Sequence, residues 1–162
     1  MSNKKATKAH SKKSASRFYA VQALFQMEAS QSSVSVIANE FETHRIGAQI
    51  GLHTYNLADL KMFRNILNTA VKEQSKIDKL TDNALKDNWP LKRIDPTLRA
   101  LFRAAISEII IDKTPNKAVI NEFIEIAKAF FPEGKEAKLV NGVLDNVLSK
   151  LQKTQHQSIK IS

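Results

Sequence analysis

The chain of 162 residues contains no cysteine. A disulfide framework, a thiol nucleophile and a cysteine-bound metal are therefore excluded. Its four glycines, Gly47, Gly51, Gly134 and Gly142, are dispersed, so no glycine-rich loop can cradle a phosphate. The four histidines, His10, His44, His53 and His156, never pair on one helix face, as a histidine metal site requires. No apolar run reaches the ~18 residues of a membrane span. The basic start followed by Phe18–Phe25 imitates a signal peptide in outline, but Gln22 and Gln26 make the segment amphipathic. Organellar transit peptides prefer arginine to the lysine found here, so the segment is read as retained in the mature protein. A cytoplasmic setting without cofactors is the expectation.

Acid is missing too, but only at the ends. Residues 1–27 carry Lys4, Lys5, Lys8, Lys12, Lys13 and Arg17 with no carboxylate, and residues 149–162 carry Lys150, Lys153 and Lys160 with none. The stretch between them is balanced, so the whole excess of +9 lies at the two termini. Basic ends on a neutral body suit contact with a polyanion better than they suit a uniformly adhesive surface.

The chain between the ends is helical in pattern. Residues 1–14 are too polar to offset their ordering entropy, so a disordered basic arm is expected there. A helix is expected to start near Ser14 or Ser16, with Ala20, Val21, Ala23, Leu24, Phe25 and Met27 on its core side. Tyr19 falls on the other side, as an exposed aromatic continuing the arm. Val34–Phe41 marks a short helix, and residues 43–56 a loop. Asn56 resembles a helix cap, and a long stripe follows from Leu60 to Val71. Ser75 is a further candidate cap, before Ile77–Leu85. Trp89-Pro90 breaks the pattern. Asp95-Pro96 and Thr114-Pro115 each offer a cap followed by proline. The last two stripes, Val119–Phe131 and Val140–Leu151, flank the turn Phe131-Pro-Glu-Gly134. The expected fold is all-α, with six or seven helices in two subdomains. These form one domain over 15–152, in halves of about 15–88 and 89–152, followed by a basic tail at 153–162.

Three polar features stand out inside the stripes. Arg103 and Glu122 each sit beside a buried stripe, and a pair between them is expected, because half-buried charges need partners. Gly142 sits within a continuous helical period, where glycine costs ~1 kcal/mol relative to alanine. Close approach by another backbone is the expected compensation. Glu122 and Glu125 lie at i, i+3, but a solvated face or a salt-bridge partner accounts for them better than acid–base catalysis does. Nothing composes a catalytic site.

At these residues the sequence resembles the NusB family of bacterial transcription antitermination factors. The matching pieces are AVQALF at Ala20–Phe25, WPLKRID at Trp89–Asp95, LFRAAISEI at Leu101–Ile109, TPNKAVINEFIEIAKAF at Thr114–Phe130 and KLVNGVLDNV at Lys138–Val147. The resemblance implies binding to boxA-type RNA together with the ribosomal protein NusE. It also implies a place in the antitermination complex of RNA polymerase on ribosomal RNA operons. In the family the RNA site joins the basic arm, the start of the first helix and the K-x-VNG motif. Carried over, these are Lys12, Lys13, Arg17, Phe25, Lys138 and Asn141; Lys4, Lys5, Lys8 and Tyr19 join them as the rest of the arm. Two residues depart from the family pattern: Phe25 often is Tyr there, and Leu139 often is Phe. The competing readings are an RNA-recognition module related to that of RNA cytosine methyltransferases and a structural homodimer. The absence of a catalytic domain speaks against the first, and light scattering across concentration tests the second.

Overall fold

Helix α5 (Pro96–Ile111) is the axis of the computed structural model, which describes residues 2–47, 49–50, 53–54, 57–85 and 93–161; residues 2–10, 49–50, 53–54 and 161 are described by backbone alone. Leu98, Leu101, Phe102, Ile106 and Ile109 are buried along α5, and so are Ala100, Ala104, Ala105 and Ser107. A helix apolar on all sides belongs at the centre, and its small residues let neighbours approach closely. Asp95 starts it, accepting from the Thr97 N–H at 2.7 Å, with Pro96 in the first turn. Asp112 ends it in the left-handed conformation, at φ 59°.

Around this axis lie α1 (Ser2–Ser30), α3 (Leu60–Lys72), α4 (Gln74–Ala84), α6 (Asn116–Phe130) and α7 (Lys135–Ile161), with α2 (Val34–His44) outside α1 and α3. The described residues thus hold seven α-helices, and the all-α expectation is met. One exception is a hairpin of two-residue strands, β1 (Gln49–Ile50) and β2 (His53–Thr54), inside the segment expected to be a loop. The core is a single cluster drawing on both halves of the chain, from Val21 and Phe63 to Phe123 and Leu144.

Several boundaries differ from expectation for local reasons. Helix α1 starts at Ser2, so the arm is helical where disorder was expected. Helix α7 likewise runs to Ile161, through the segment read as a tail. The cap of α3 is Asp59, accepting from Met62 N–H at 3.0 Å; Asn56 lies outside the described residues, as does Trp89. Helix α4 begins at Gln74 with Glu73 in the cap position and no side-chain cap, displacing Ser75 into the first turn. Pro115 itself occupies the cap position of α6. The turn between α6 and α7 is as expected: Gly134 has φ 86° and donates its N–H to the Phe131 carbonyl at 3.2 Å. Gly142 is a correction. Among the described residues a Cβ there would meet nothing within 4 Å, and no backbone of another element approaches it.

Candidate nucleic-acid interface

The first helix presents two faces to two tasks. Its buried face, Ala20, Val21, Ala23 and Leu24, holds it on α5 and α3. Phe18, Gln22, Phe25, Gln26 and Ala29 follow one another at helical spacing along another side. There Val21, Gln22, Phe25, Gln26 and Ala29 line a shallow groove of about 370 Å³, closed by Arg45, Thr97 and Phe130. Phe25 is 40% exposed, a large apolar surface left open to solvent. Phe130 is stacked flat on Phe18, with ring centroids 4.9 Å apart and planes within 4°. The Arg45 guanidinium lies 4.5 Å above the Phe41 ring and 3.9 Å from Glu40, which also accepts from the Gln26 amide at 3.1 Å. Aromatic faces, amides and a guanidinium around an open groove suit an unpaired base, which stacks on the first and hydrogen-bonds to the others.

Further cations lie on the same helix and on α7, outside the lining of this groove; Lys13 borders a separate hollow with Asp59 and Lys61. Lys12 and Lys13 are exposed on α1, and Lys138 and Asn141 are exposed on the outer side of α7. No carboxylate pairs with Lys12, Lys13 or Lys138 among the described residues. The backbone at Lys4, Lys5 and Lys8 is helical and continues α1; their side chains lie outside the described residues.

Two expected interface residues are buried instead. Arg17 is 2% exposed. Its Nε donates to both carboxylate oxygens of Glu108, at 3.1 and 2.8 Å, and its Nη2 to Glu108 Oε1 at 2.8 Å. A second carboxylate, Glu122, stands 3.5 Å from Nη1 and accepts from the Ser14 hydroxyl at 3.0 Å. The Arg17 guanidinium therefore faces the protein interior, not a phosphate. Tyr19 is 6% exposed and meets the edge of Phe41, because α2 covers the side of α1 that a single-helix wheel leaves open.

The Arg103–Glu122 pair is also corrected. Arg103 bonds Asp78 through Nε at 3.0 Å and Nη2 at 2.9 Å, and Glu28 through Nη1 at 2.9 Å. Arg99 joins the same Glu28 carboxylate, donating Nε at 2.8 Å and Nη2 to its other oxygen. This ionic lattice lies in a cleft of about 840 Å³ between α1, α3, α4 and α5. Hydrogen bonding from Arg99, with the charges of Arg99 and Arg103 behind it, holds the Glu28 carboxyl below the usual glutamate value despite its partial burial.

Sequence reasoning missed Phe18, Gln22, Gln26, Arg45, Thr97 and Phe130 as neighbours of Phe25. Gln22 and Gln26, polar and one turn apart beside Phe25, were the available signal. Arg45 and Thr97 gave none, because only the fold brings them to α1.

The fold and this surface define an all-α binding protein that offers a polar and aromatic groove. The chain belongs to the NusB family, whose sequence profile matches residues 14–149. The transcription antitermination protein NusB of Sinorhizobium fredii (strain NBRC 101917 / NGR234) is 45% identical over 139 residues, covering 85% of this chain and 86% of that protein. That of Allorhizobium ampelinum (strain ATCC BAA-846 / DSM 112012 / S4) is 42% identical over 151 residues, covering 93% and 94%. Among solved structures, T. maritima NusB superposes with a TM-score of 0.68 at 29% identity, covering 83% of this chain and 88% of that one. A chain in the crystal structure of antitermination factors NusB and NusE in complex with dsRNA gives 0.67 at 19% identity, covering 85% and 96%. At that identity the likeness speaks for the fold alone. The curated relatives are named as antitermination proteins rather than enzymes, in agreement with the non-catalytic reading.

Proposed function

We propose that this protein binds boxA-type single-stranded RNA together with ribosomal protein NusE, and so helps RNA polymerase transcribe ribosomal RNA operons processively. The observation that carries the RNA half is the groove at Phe25. It is an exposed aromatic surface on the helix that also bears the basic arm, and a base can stack on it only when its own face is not covered by neighbouring bases, as in a single strand. Lys12, Lys13 and Lys138, with Lys4, Lys5 and Lys8, supply phosphate contacts that bind any sequence, while the groove and Asn141 read bases. NusE enters through kinship: the solved complex sharing this fold contains NusB, NusE and double-stranded RNA.

The test is binding of labelled single-stranded boxA-type RNA, with and without NusE, across a salt series. Full-length protein should form a ternary complex and prefer the single strand to the same sequence as a duplex. Removing residues 2–10 spares the Lys12 carbonyl, which bonds Ser16 and Asp59. That truncation should weaken RNA binding and flatten log K against log salt by ~0.7 for each phosphate no longer neutralised, with little change in melting temperature. An equal preference for duplex would remove the groove as the reader of bases.

A further inference from the structure

The carboxyl-terminal turns of α7 leave the body of the protein. The buried face of that helix, Ala137, Val140, Val143, Leu144 and Val147, ends with the half-buried Leu151, and residues 152–160 are exposed. At 1.5 Å per residue the helix projects about 15 Å beyond its last core contact. The projection has no acidic residue, and among the described residues no carboxylate pairs with Lys150, Lys153 or Lys160. The family match ends at residue 149, just where this segment begins.

Where the segment points follows from two contacts and one turn. Ser14 meets Glu122 and Phe18 meets Phe130, so α1 runs in the same sense as α6. The turn at 131–134 sends α7 back antiparallel to α6. The amino end of α1 and the carboxyl end of α7 therefore leave the molecule at the same pole, where α6 begins. Both are basic. On the outer side of α7, Lys135, Lys138, Lys153 and Lys160 fall within about 60° of one another at 100° per residue. Asp145 is the carboxylate that interrupts this stripe. The helix dipole accounts for a cation in the last turn, as at Lys160, but not for Lys150 and Lys153 further up. A helix end that is exposed all round, Ile159 included, and lacks acid–base pairs gains little from its own side chains.

We infer that Lys150, Lys153 and Lys160 form a second phosphate-contacting arm, which with the amino-terminal arm grips RNA backbone flanking the bases held at the Phe25 groove. This rests on the RNA-binding reading above. The segment contributes charge without base readout, so its effect depends on RNA length and salt, not on sequence.

The test compares wild type with a Lys150→Gln/Lys153→Gln/Lys160→Gln variant; glutamine keeps helix propensity near that of lysine. Two labelled RNAs are titrated across salt: the boxA-type element alone, and the same element with oligouridine added at both ends. The expected result is unchanged binding of the short RNA and, for the long one, a salt slope lower by ~2, at ~0.7 per cation removed. Identical slopes for both proteins on the long RNA would overturn the second arm while leaving the groove reading in place. Failure of wild type to bind even the short RNA would overturn both.

Discussion

Arg17 shows how an expected surface charge becomes an internal one. It lies three, four and seven residues before Ala20, Val21 and Leu24, so the helix that buries those residues buries Arg17 as well. A guanidinium removed from water needs a carboxylate in good geometry, and Glu108 supplies both oxygens. Replacing Glu108 with alanine strands that charge and should cost about 3–5 kcal/mol in a urea titration. Glu122→Ala should cost far less, because Glu122 is partly exposed and Glu108 still holds Arg17. The sequence marked Arg103 and Glu122 as charges beside apolar stripes and placed Arg17 with the basic arm. It could not tell which would meet. A stripe specifies the face a residue occupies on its own helix, whereas a partner depends on how helices cross.

At the scale of elements, the apolar periods were the legible part. They located α5, α6 and α7 and the turn between the last two, because each helix buries a continuous face and Pro132 and Gly134 stop it. They failed where several neighbours surround one helix. Tyr19 looked exposed on a wheel drawn for α1 alone, but α2 closes over it. The extent of α7 was also illegible, since residues 152–160 are exposed and leave no period to record. Gly142 illustrates a local cost without compensation. It is exposed, helical and has open space around the missing Cβ. Gly142→Ala should therefore stabilise the protein by about 0.4–1 kcal/mol, seen as a rise in melting temperature.

For the whole molecule, the ionic lattice at Glu28 ties the end of α1 to α4 and α5. The folded state holds the Glu28 carboxyl below its ordinary value of 4.5, so its contribution is fully present above that value and is lost as pH falls through the lower, folded one. Wild type should thus lose stability on acidification below about pH 4.5. Glu28→Gln should be less stable at neutral pH and show a shallower acid slope in unfolding titrations. The candidate site was legible in part at this scale. Phe25, singled out from a motif piece, lines the groove; Lys138 and Asn141, singled out in the same way, are exposed on α7 outside it, and Arg45, Thr97 and Phe130 come from elements distant in sequence.

The burial of Arg17 has one more consequence, for angle. Arg17 is seated on Glu108 and Ser16 is bonded to Asp59, so the rotation of α1 about its own axis is locked where the arm leaves the body. Lys12 and Lys13 lie barely a turn upstream on the same unbroken helix. The arm is therefore indexed like a key in a keyway. One residue inserted between Lys13 and Ser14 would swing every cation before it by about 100° while moving it only about 1.5 Å, and seven would return it nearly to its original bearing. Where the arm's charge points is set by a count of residues, not by the charge itself.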